Sequence, residues 1–334
     1  MDQTLPADGL MPWEIIFWDV GQGDATSIRL PTGEYILIDT GPVSATSGSN
    51  PLVQWLLNTP EKKRIKCVLI THNDLDHVGG LISLASDDSL VIDSVLLVPD
   101  ETFRQKLGKF AGLVAQLKKR QTAGKTQIGF LTQSNRILGD GMCRLAVRYP
   151  APLDTAGKHT NNEISAVITL ERNDSGNVSV IWGGDTLLST VAKVCSRANP
   201  AILVGPHHGA PQDTPNKEKT FRSFLEDIRP EIFFVSVGQG NIYGHPKTKF
   251  IKAAVNAGTE ICCSEITEQC HEAQKMATHV FQGSFQLGLP IPRHAIQCRG
   301  SMRVFANDMG IEFDQHQECF KECVRKIDGR LCHG

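Results

Sequence analysis

The stretch that decides the reading is Thr71-His72-Asn73-Asp74-Leu75-Asp76-His77, which puts four metal-ligand-type side chains within six residues. Two carboxylates held this close repel each other, and a bound cation is the best relief of that repulsion. The run follows an apolar stretch at 67–70 that reads as a short buried strand, and it closes on Gly79-Gly80. A solvated acidic turn is the alternative, but such a turn has no need of an apolar strand feeding into it.

Working outward, the same style recurs: short apolar runs end at Asp or His, on loops where a rigid scaffold presents functional groups. Strands are expected at 14–19, 25–30 and 34–38, with Gly21, Gly23 and Pro31-Thr32-Gly33 supplying the turns. The last of these strands ends at Asp39. A helix is expected at 51–58, a strand at 95–98, and a helix with a basic end at 103–120, followed by a polar linker to about 127. In the second half, strands at 164–170 and 178–181 lead to Gly183-Gly184-Asp185, and a helix follows at 187–195. A strand at 201–204 leads to His207-His208-Gly209. A helix at 219–228 and a strand at 232–237 lead to Gly244-His245-Pro246. Two runs of strands with interleaved helices suggest an α/β protein, a layered αββα sandwich, though periodicity alone does not separate this from another α/β layout. Residues 1–13 read as a disordered lead, 14–261 as the main α/β domain, and 262–334 as a small Cys-rich C-terminal appendage.

Composition narrows the function. A chain of 334 residues, 40% hydrophobic and 21% charged, can bury a substantial core. Its net charge of −2 removes any general basic footprint for nucleic acid, so such binding needs a local patch. Lys62-Lys63-Arg64 and Lys118-Lys119-Arg120 are the stretches that offer one; each is more often a solvated face. No run approaches the roughly 18 consecutive apolar residues of a membrane span. Residues 1–11 carry two acids and no basic residue, unlike a signal peptide, so a cytoplasmic protein is expected. Of ten cysteines, seven fall between Cys262 and Cys332. In a cytosolic chain these read as a metal site or as inert thiols rather than a disulfide framework.

His72-x-Asp74-x-Asp76-His77 resembles the His-x-His-x-Asp-His signature of the metallo-β-lactamase superfamily, with Asp in place of the second His. Five stretches together resemble the soluble hydrolase domain of the ComEC/Rec2 competence proteins. They are Asp19-Val20-Gly21-Gln22-Gly23-Asp24-Ala25, Ile38-Asp39-Thr40-Gly41, 71–80, Gly184-Asp185, and Pro206-His207-His208-Gly209 with Asn241-Ile242-Tyr243-Gly244-His245-Pro246. The order and spacing match from about residue 14 to 270. The membrane channel of those proteins has no counterpart in this chain, so DNA uptake is not expected to carry over.

The resemblance implies two divalent ions, Zn or Mn. His72 and Asp74 would bind one, Asp76 and His77 the other, with Asp185 bridging and His245 completing the second site. Such a pair activates water and stabilises the attacking and leaving oxygens of phosphoryl transfer. Asp74 makes the site harder, favouring Mn²⁺ over Zn²⁺ without settling the choice. The superfamily's third-motif His is absent. His159 is the nearby substitute, more readily a loop residue than a ligand, while Asn162 and Ser165 match the competence-protein pattern. His207 and His208 are further candidates, one for metal and the other for a substrate phosphate or for protonating the leaving oxygen; His208 could equally be a loop-holding residue. Asp19, Asp24 and Asp39 are expected to orient the ligands. Asn241 and Lys247 could meet a phosphate or simply lie at the surface.

A structural zinc held by Cys263, Cys270, Cys298 and Cys332 is also expected, since similar stand-alone relatives carry Cys at such places; His316 is a substitute. The competing reading is buried reduced thiols, with Cys319 and Cys323 one turn apart on a helix. The leading functional expectation is a metal-dependent phosphodiesterase or nuclease acting on DNA. The alternatives are a hydrolase of a small phosphodiester, cyclic nucleotide, lactone or other small ester, and a non-catalytic interaction module.

Overall fold

The structure, a computed structural model, describes residues 11–43, 50–59, 63–99, 107–133, 136–154, 160, 162–210, 217–238, 241–267, 270, 289–290, 298–325 and 332. Two β-sheets pack face to face and helices cover their outer faces, which gives the expected α/β architecture of four αββα layers. The first sheet contains β1 (Trp13–Phe17), β2 (Ala25–Arg29), β3 (Tyr35–Thr40), β4 (Arg64–Ile70), β5 (Val91–Ile92), β6 (Ser94–Leu97) and β7 (Gln127–Phe130), with β15 (Met302–Asn307) and β16 (Gly310–Phe313) from the far end of the chain. Its order is β16-β15-β1-β2-β3-β4-β6-β7, with β5 also on β4. The second sheet contains β8 (Arg136–Gly139), β9 (Cys143–Tyr149), β10 (Val167–Arg172), β11 (Val178–Trp182), β12 (Ile202–Val204), β13 (Ile232–Val235) and β14 (Glu260–Cys263). These run β14-β13-β12-β11-β10-β9-β8.

Strand alternation explains the layers, because successive side chains point to opposite faces. In β1, Trp13, Ile15 and Phe17 enter the core between the sheets, where they meet Ile168, Leu170, Val180, Trp182, Val204 and Phe234 of the second sheet. Ile16 and Trp18 face outward instead. They pack with Val68, Ile70, Val78, Leu81 and Phe110 beneath the first helical layer. That layer comprises α1 (Pro51–Asn58), α2 (Leu75–Ser86) and α3 (Leu107–Thr122). On the far side, Leu203, Phe233 and Val235 lie beneath α4 (Leu188–Cys195), α5 (Lys217–Ile228) and α6 (Thr248–Asn256). Each such fully buried aliphatic or aromatic side chain contributes about 1.5–3 kcal/mol.

Local signals set the ends that matter. Asn50 caps α1 by accepting from Val53 N at 3.2 Å, while its amide donates to Thr40 O at 2.8 Å, so the cap also pins the end of β3. Asp74 occupies the N-cap position of α2 but makes no capping bond there. The expected loop at 71–77 is therefore half helix, with Asp76 and His77 in its first turn. No helix of the described residues is long and apolar enough to cross a membrane.

The boundary expected at residue 262 falls inside β14, the edge strand of the second sheet. Farther on, β15 pairs antiparallel with β1, Ile15 opposite Val304. The described part of 262–334 thus extends both sheets rather than standing apart as an appendage. Helix α7 (Gln315–Arg325) follows and carries Cys319 and Cys323 one turn apart. The lead at 1–13 is described only from residue 11, and Trp13 already begins β1.

Candidate metal centre

The site gathers where parallel strands of both sheets end. In the first sheet β3 ends next to Asp39 and β4 next to His72, the two strands running parallel. In the second, parallel β11, β12 and β13 feed Asp185, His207-His208 and the loop to His245. Three non-glycine residues here have left-handed backbone: Asp39 (φ 53°), His207 (φ 49°) and His208 (φ 51°). Each such conformation costs on the order of 1 kcal/mol or more and persists only where surrounding structure holds it.

Asp185 is the centre. Its Oδ2 lies 3.5 Å from His72 Nε2 and 3.8 Å from His207 Nε2, while Oδ1 lies 3.3 Å from His77 Nε2 and 3.6 Å from His208 Nε2. Asp74 stands 3.8 Å from His72 Nε2, and Asp76 stands 3.6 Å from His208 Nε2. The two oxygens of one carboxylate thus face two imidazole groups, each group with its own Asp. The rings of His207 and His245 are 5.8 Å apart, and Tyr243 stacks on His245 at 5.7 Å.

The bracing around these groups is specific. Asp39 Oδ2 lies 2.8 Å from His77 Nδ1 and accepts from Thr71 Oγ1 at 2.6 Å, while Oδ1 accepts from Thr71 N at 2.8 Å. That arrangement places the proton of His77 on Nδ1 and turns Nε2 toward Asp185. Asp24 Oδ1 sits 3.7 Å from His208 Nδ1 in a comparable position. Ser165 Oγ accepts from Asp185 N at 3.0 Å and lies 3.5 Å from His72 Nδ1. Gly23 has φ +134°, and a Cβ there would run into the carbonyl oxygen of Asp76. The glycine-rich turn is therefore pressed against the helix that presents Asp76.

The residues fit bound divalent metal. Among buried side-chain atoms without a hydrogen-bond partner are His72 Nε2, His77 Nε2, both ring nitrogens of His208, Asp185 Oδ1 and His245 Nδ1. Leaving one such atom unpaired costs about 1–3 kcal/mol, so a shared cation is their natural partner. His72/Asp76/His77 and His77/Asp185/His208 each bring their ligand atoms within 4.8 Å of one another. Burial opposes the charge on Asp185, but His77, His72 and His208 hold its carboxyl well below the usual range. Burial likewise opposes charging His208, yet Asp185, Asp24 and Asp76 push it up to about 9. Burial and the neighbouring His208 and His207 press His245 down to about 4, so it is neutral.

Every cleft residue expected from the sequence and described in the structure is brought together here except as follows. His159 lies outside the described residues. His245 was expected to complete the second ligand set, but His208 stands nearer the Asp185 carboxylate. Asp19 closes its own turn, accepting from Gly21 N at 3.3 Å, while its N–H donates to Ser301 Oγ at 2.9 Å. Asn241 shapes the loop, accepting from His245 N at 2.9 Å and donating to His245 O at 3.0 Å, and Lys247 Nζ donates to Tyr243 O. Sequence reasoning missed Gln22, Leu75, Phe110 and Tyr243, which line a cleft of about 380 Å³ with Asp74, Asp76, Asn162, Asp185, His207, His208 and His245. Gln22 and Tyr243 lie inside quoted motifs, whereas nothing local marks Phe110 of α3.

Two sheets in four layers carry ligand-type residues at their strand ends, the arrangement that the sequence resemblance implies. Residues 18–95 match the family model of the Metallo-beta-lactamase superfamily. The chain is similar to ComE operon protein 3 of Bacillus subtilis (strain 168), 24% identical over 260 residues, which covers 72% of this chain and 30% of that protein. It therefore spans under a third of that relative's length. Among solved structures it is similar to the metallo-β-lactamase fold protein YhfI from Bacillus subtilis at 8% identity and TM-score 0.47, covering 75% of this chain and 96% of that one. It is also similar to the short form of human tRNase Z at 15% identity and TM-score 0.41, covering 67% and 92%.

Proposed function

We propose that this chain is a metal-dependent phosphodiesterase acting on DNA. The observation that carries the reading is the Asp185 carboxylate, whose two oxygens each face a separate His/Asp group. His72, Asp74 and His207 would hold one ion, and Asp76, His77 and His208 the other. When bound, such a pair supplies an activated water and charge stabilisation for an in-line phosphoryl displacement. Asp74 and Asp76 add carboxylate oxygens to the imidazoles, which supports Mn²⁺ alongside Zn²⁺.

The chain's own residues do the rest. Asp39 fixes the tautomer of His77, and Ser165 ties the backbone of Asp185 to the ring of His72. His207 is less buried than His208, its side chain 30% exposed against 2%. Burial lowers its pKa, so it is a neutral imidazole on the cleft wall. Neutral His245, outside both ion groups, is placed to hydrogen-bond the substrate phosphate.

A second reading, a small phosphodiester or cyclic nucleotide, is favoured by the fate of the basic stretches. Arg120 is buried and donates to Asp87 O at 3.0 Å and Thr126 Oγ1 at 3.1 Å. Lys119 pairs with Asp88, Arg64 with Asp93, and Lys63 lies over the Trp55 ring. Among the described residues of the two stretches, these four basic groups already have partners within the chain. The test is a purified-protein assay with Mn²⁺ or Zn²⁺ against single-stranded DNA, duplex DNA, RNA, cyclic nucleotides and bis(p-nitrophenyl) phosphate. DNA cleavage lost in Asp76→Ala and Asp185→Ala supports the first reading. Turnover of the small diesters alone supports the second, and no turnover of any diester refutes both.

A further inference from the structure

Edge strand β14 turns its two cysteines to opposite faces. Cys262 packs in the core between the sheets and accepts from Gln317 Nε2 at 3.5 Å. Cys263 belongs instead to the cluster beneath α4, α5 and α6, and Cys298 and Cys332 pack against that same cluster. Main-chain bonds set Cys298 alongside it, with Cys298 N donating to Ser264 O at 3.0 Å and Arg299 N donating to Cys263 O at 2.8 Å. Cys270 arrives on a turn closed by its own N–H donating to Thr267 O at 2.9 Å. Cys270, Cys298 and Cys332 also pack together against the neighbouring core between the sheets. None of the four is in a disulfide.

Four thiols drawn from distant parts of the chain repel one another as thiolates, yet together they form the donor set of a soft divalent ion. We propose that Cys263, Cys270, Cys298 and Cys332 hold a structural zinc ion, separate from the His/Asp cleft, that fastens the C-terminal segment to β14. A set of four protein sulfurs leaves no open position, so the ion would bind no substrate. Its reach toward the cleft runs through Ser264, the neighbour of Cys263. Ser264 Oγ donates to Val237 O at 2.8 Å and accepts from Val237 N at 2.8 Å, holding the start of the loop that carries His245.

The test uses the full chain, as wild type and as a His72→Ala/Asp185→Asn double variant that removes two cleft donors. After mild chelation, metal analysis and X-ray absorption should find about one zinc per chain in both proteins, with sulfur neighbours at about 2.3 Å. A thiol-blocking mercurial should release that zinc. Cys298→Ser and Cys332→Ser should lose it, whereas Cys262→Ser should keep it. No residual zinc, zinc with only nitrogen and oxygen neighbours, or a disulfide among these cysteines by mass spectrometry would overturn the proposal. If the serine variants do not fold, the sulfur count around zinc in the wild type decides.

Discussion

Asp39→Asn replaces one oxygen by an amide nitrogen and leaves the backbone untouched, so it isolates how His77 is aimed. Asp39 receives three bonds at once: His77 Nδ1 at 2.8 Å, Thr71 Oγ1 at 2.6 Å and Thr71 N at 2.8 Å. An asparagine has one acceptor oxygen. If that oxygen keeps Thr71 N, the NH₂ group faces His77 Nδ1 and drives the ring proton onto Nε2. Nε2 is then a donor aimed at Asp185 and cannot ligate a cation. If the amide turns over, its NH₂ meets Thr71 N–H, two donors head-on. Either way a charge-assisted bond worth about 1.5–3 kcal/mol is lost. Replacing the partner of a ligating imidazole typically costs about 10–100-fold in metal affinity, which is about 1.4–2.7 kcal/mol. Titration calorimetry with Mn²⁺ on chelator-stripped protein reads this directly, and circular dichroism reports whether the fold survives. A folded variant whose metal affinity lies within twofold of wild type would show that Asp39 does not orient a ligand.

Gly23→Ala should lower metal-dependent turnover at least tenfold, since Gly23 has φ +134° and a Cβ there would run into the carbonyl oxygen of Asp76; steady-state assays under saturating metal check this. Arg120→Met should destabilise the protein by about 3 kcal/mol in urea unfolding, because buried carbonyls lose their donor, while leaving DNA binding by fluorescence anisotropy unchanged. Burial pushes the Cys143 and Cys195 thiols up to about 12. Their unfolded pKa is about 8.5, so the stability they contribute is complete below pH 8.5 and is lost as pH rises toward 12. Timed alkylation at pH 8 with mass spectrometry should label exposed Cys319 first and these two only after unfolding.

Much of the fold was legible because strand alternation and turn residues are local signals. The expected helix at 51–58 coincides with α1, and the strand at 178–181 differs from β11 by one residue. Helix α2 was not foreseen, since Gly79-Gly80 lowers helix propensity by about 1 kcal/mol per glycine. Burial of Val78, Leu81, Leu84 and Ala85 against the first sheet overrides that cost. Strands β7 to β9 were hidden in what read as a polar linker and beyond. The pairing of β15 with β1 joins residues almost a chain length apart, and no local pattern encodes such a register. At the site, ligand types were legible from Asp and His recurring at strand ends. Their grouping was not: it depends on the left-handed turn at His207-His208, which swings His208 toward Asp185 ahead of His245.

The central claim is that Asp185 bridges two cations, and diffraction from crystals soaked in Mn²⁺ tests it most directly. Anomalous maps should show two peaks about 3.5–4 Å apart, one beside each oxygen of Asp185, with His72 at the first and His77 and His208 at the second. A single peak, or two peaks that leave the Asp185 carboxylate uncoordinated, would contradict the account.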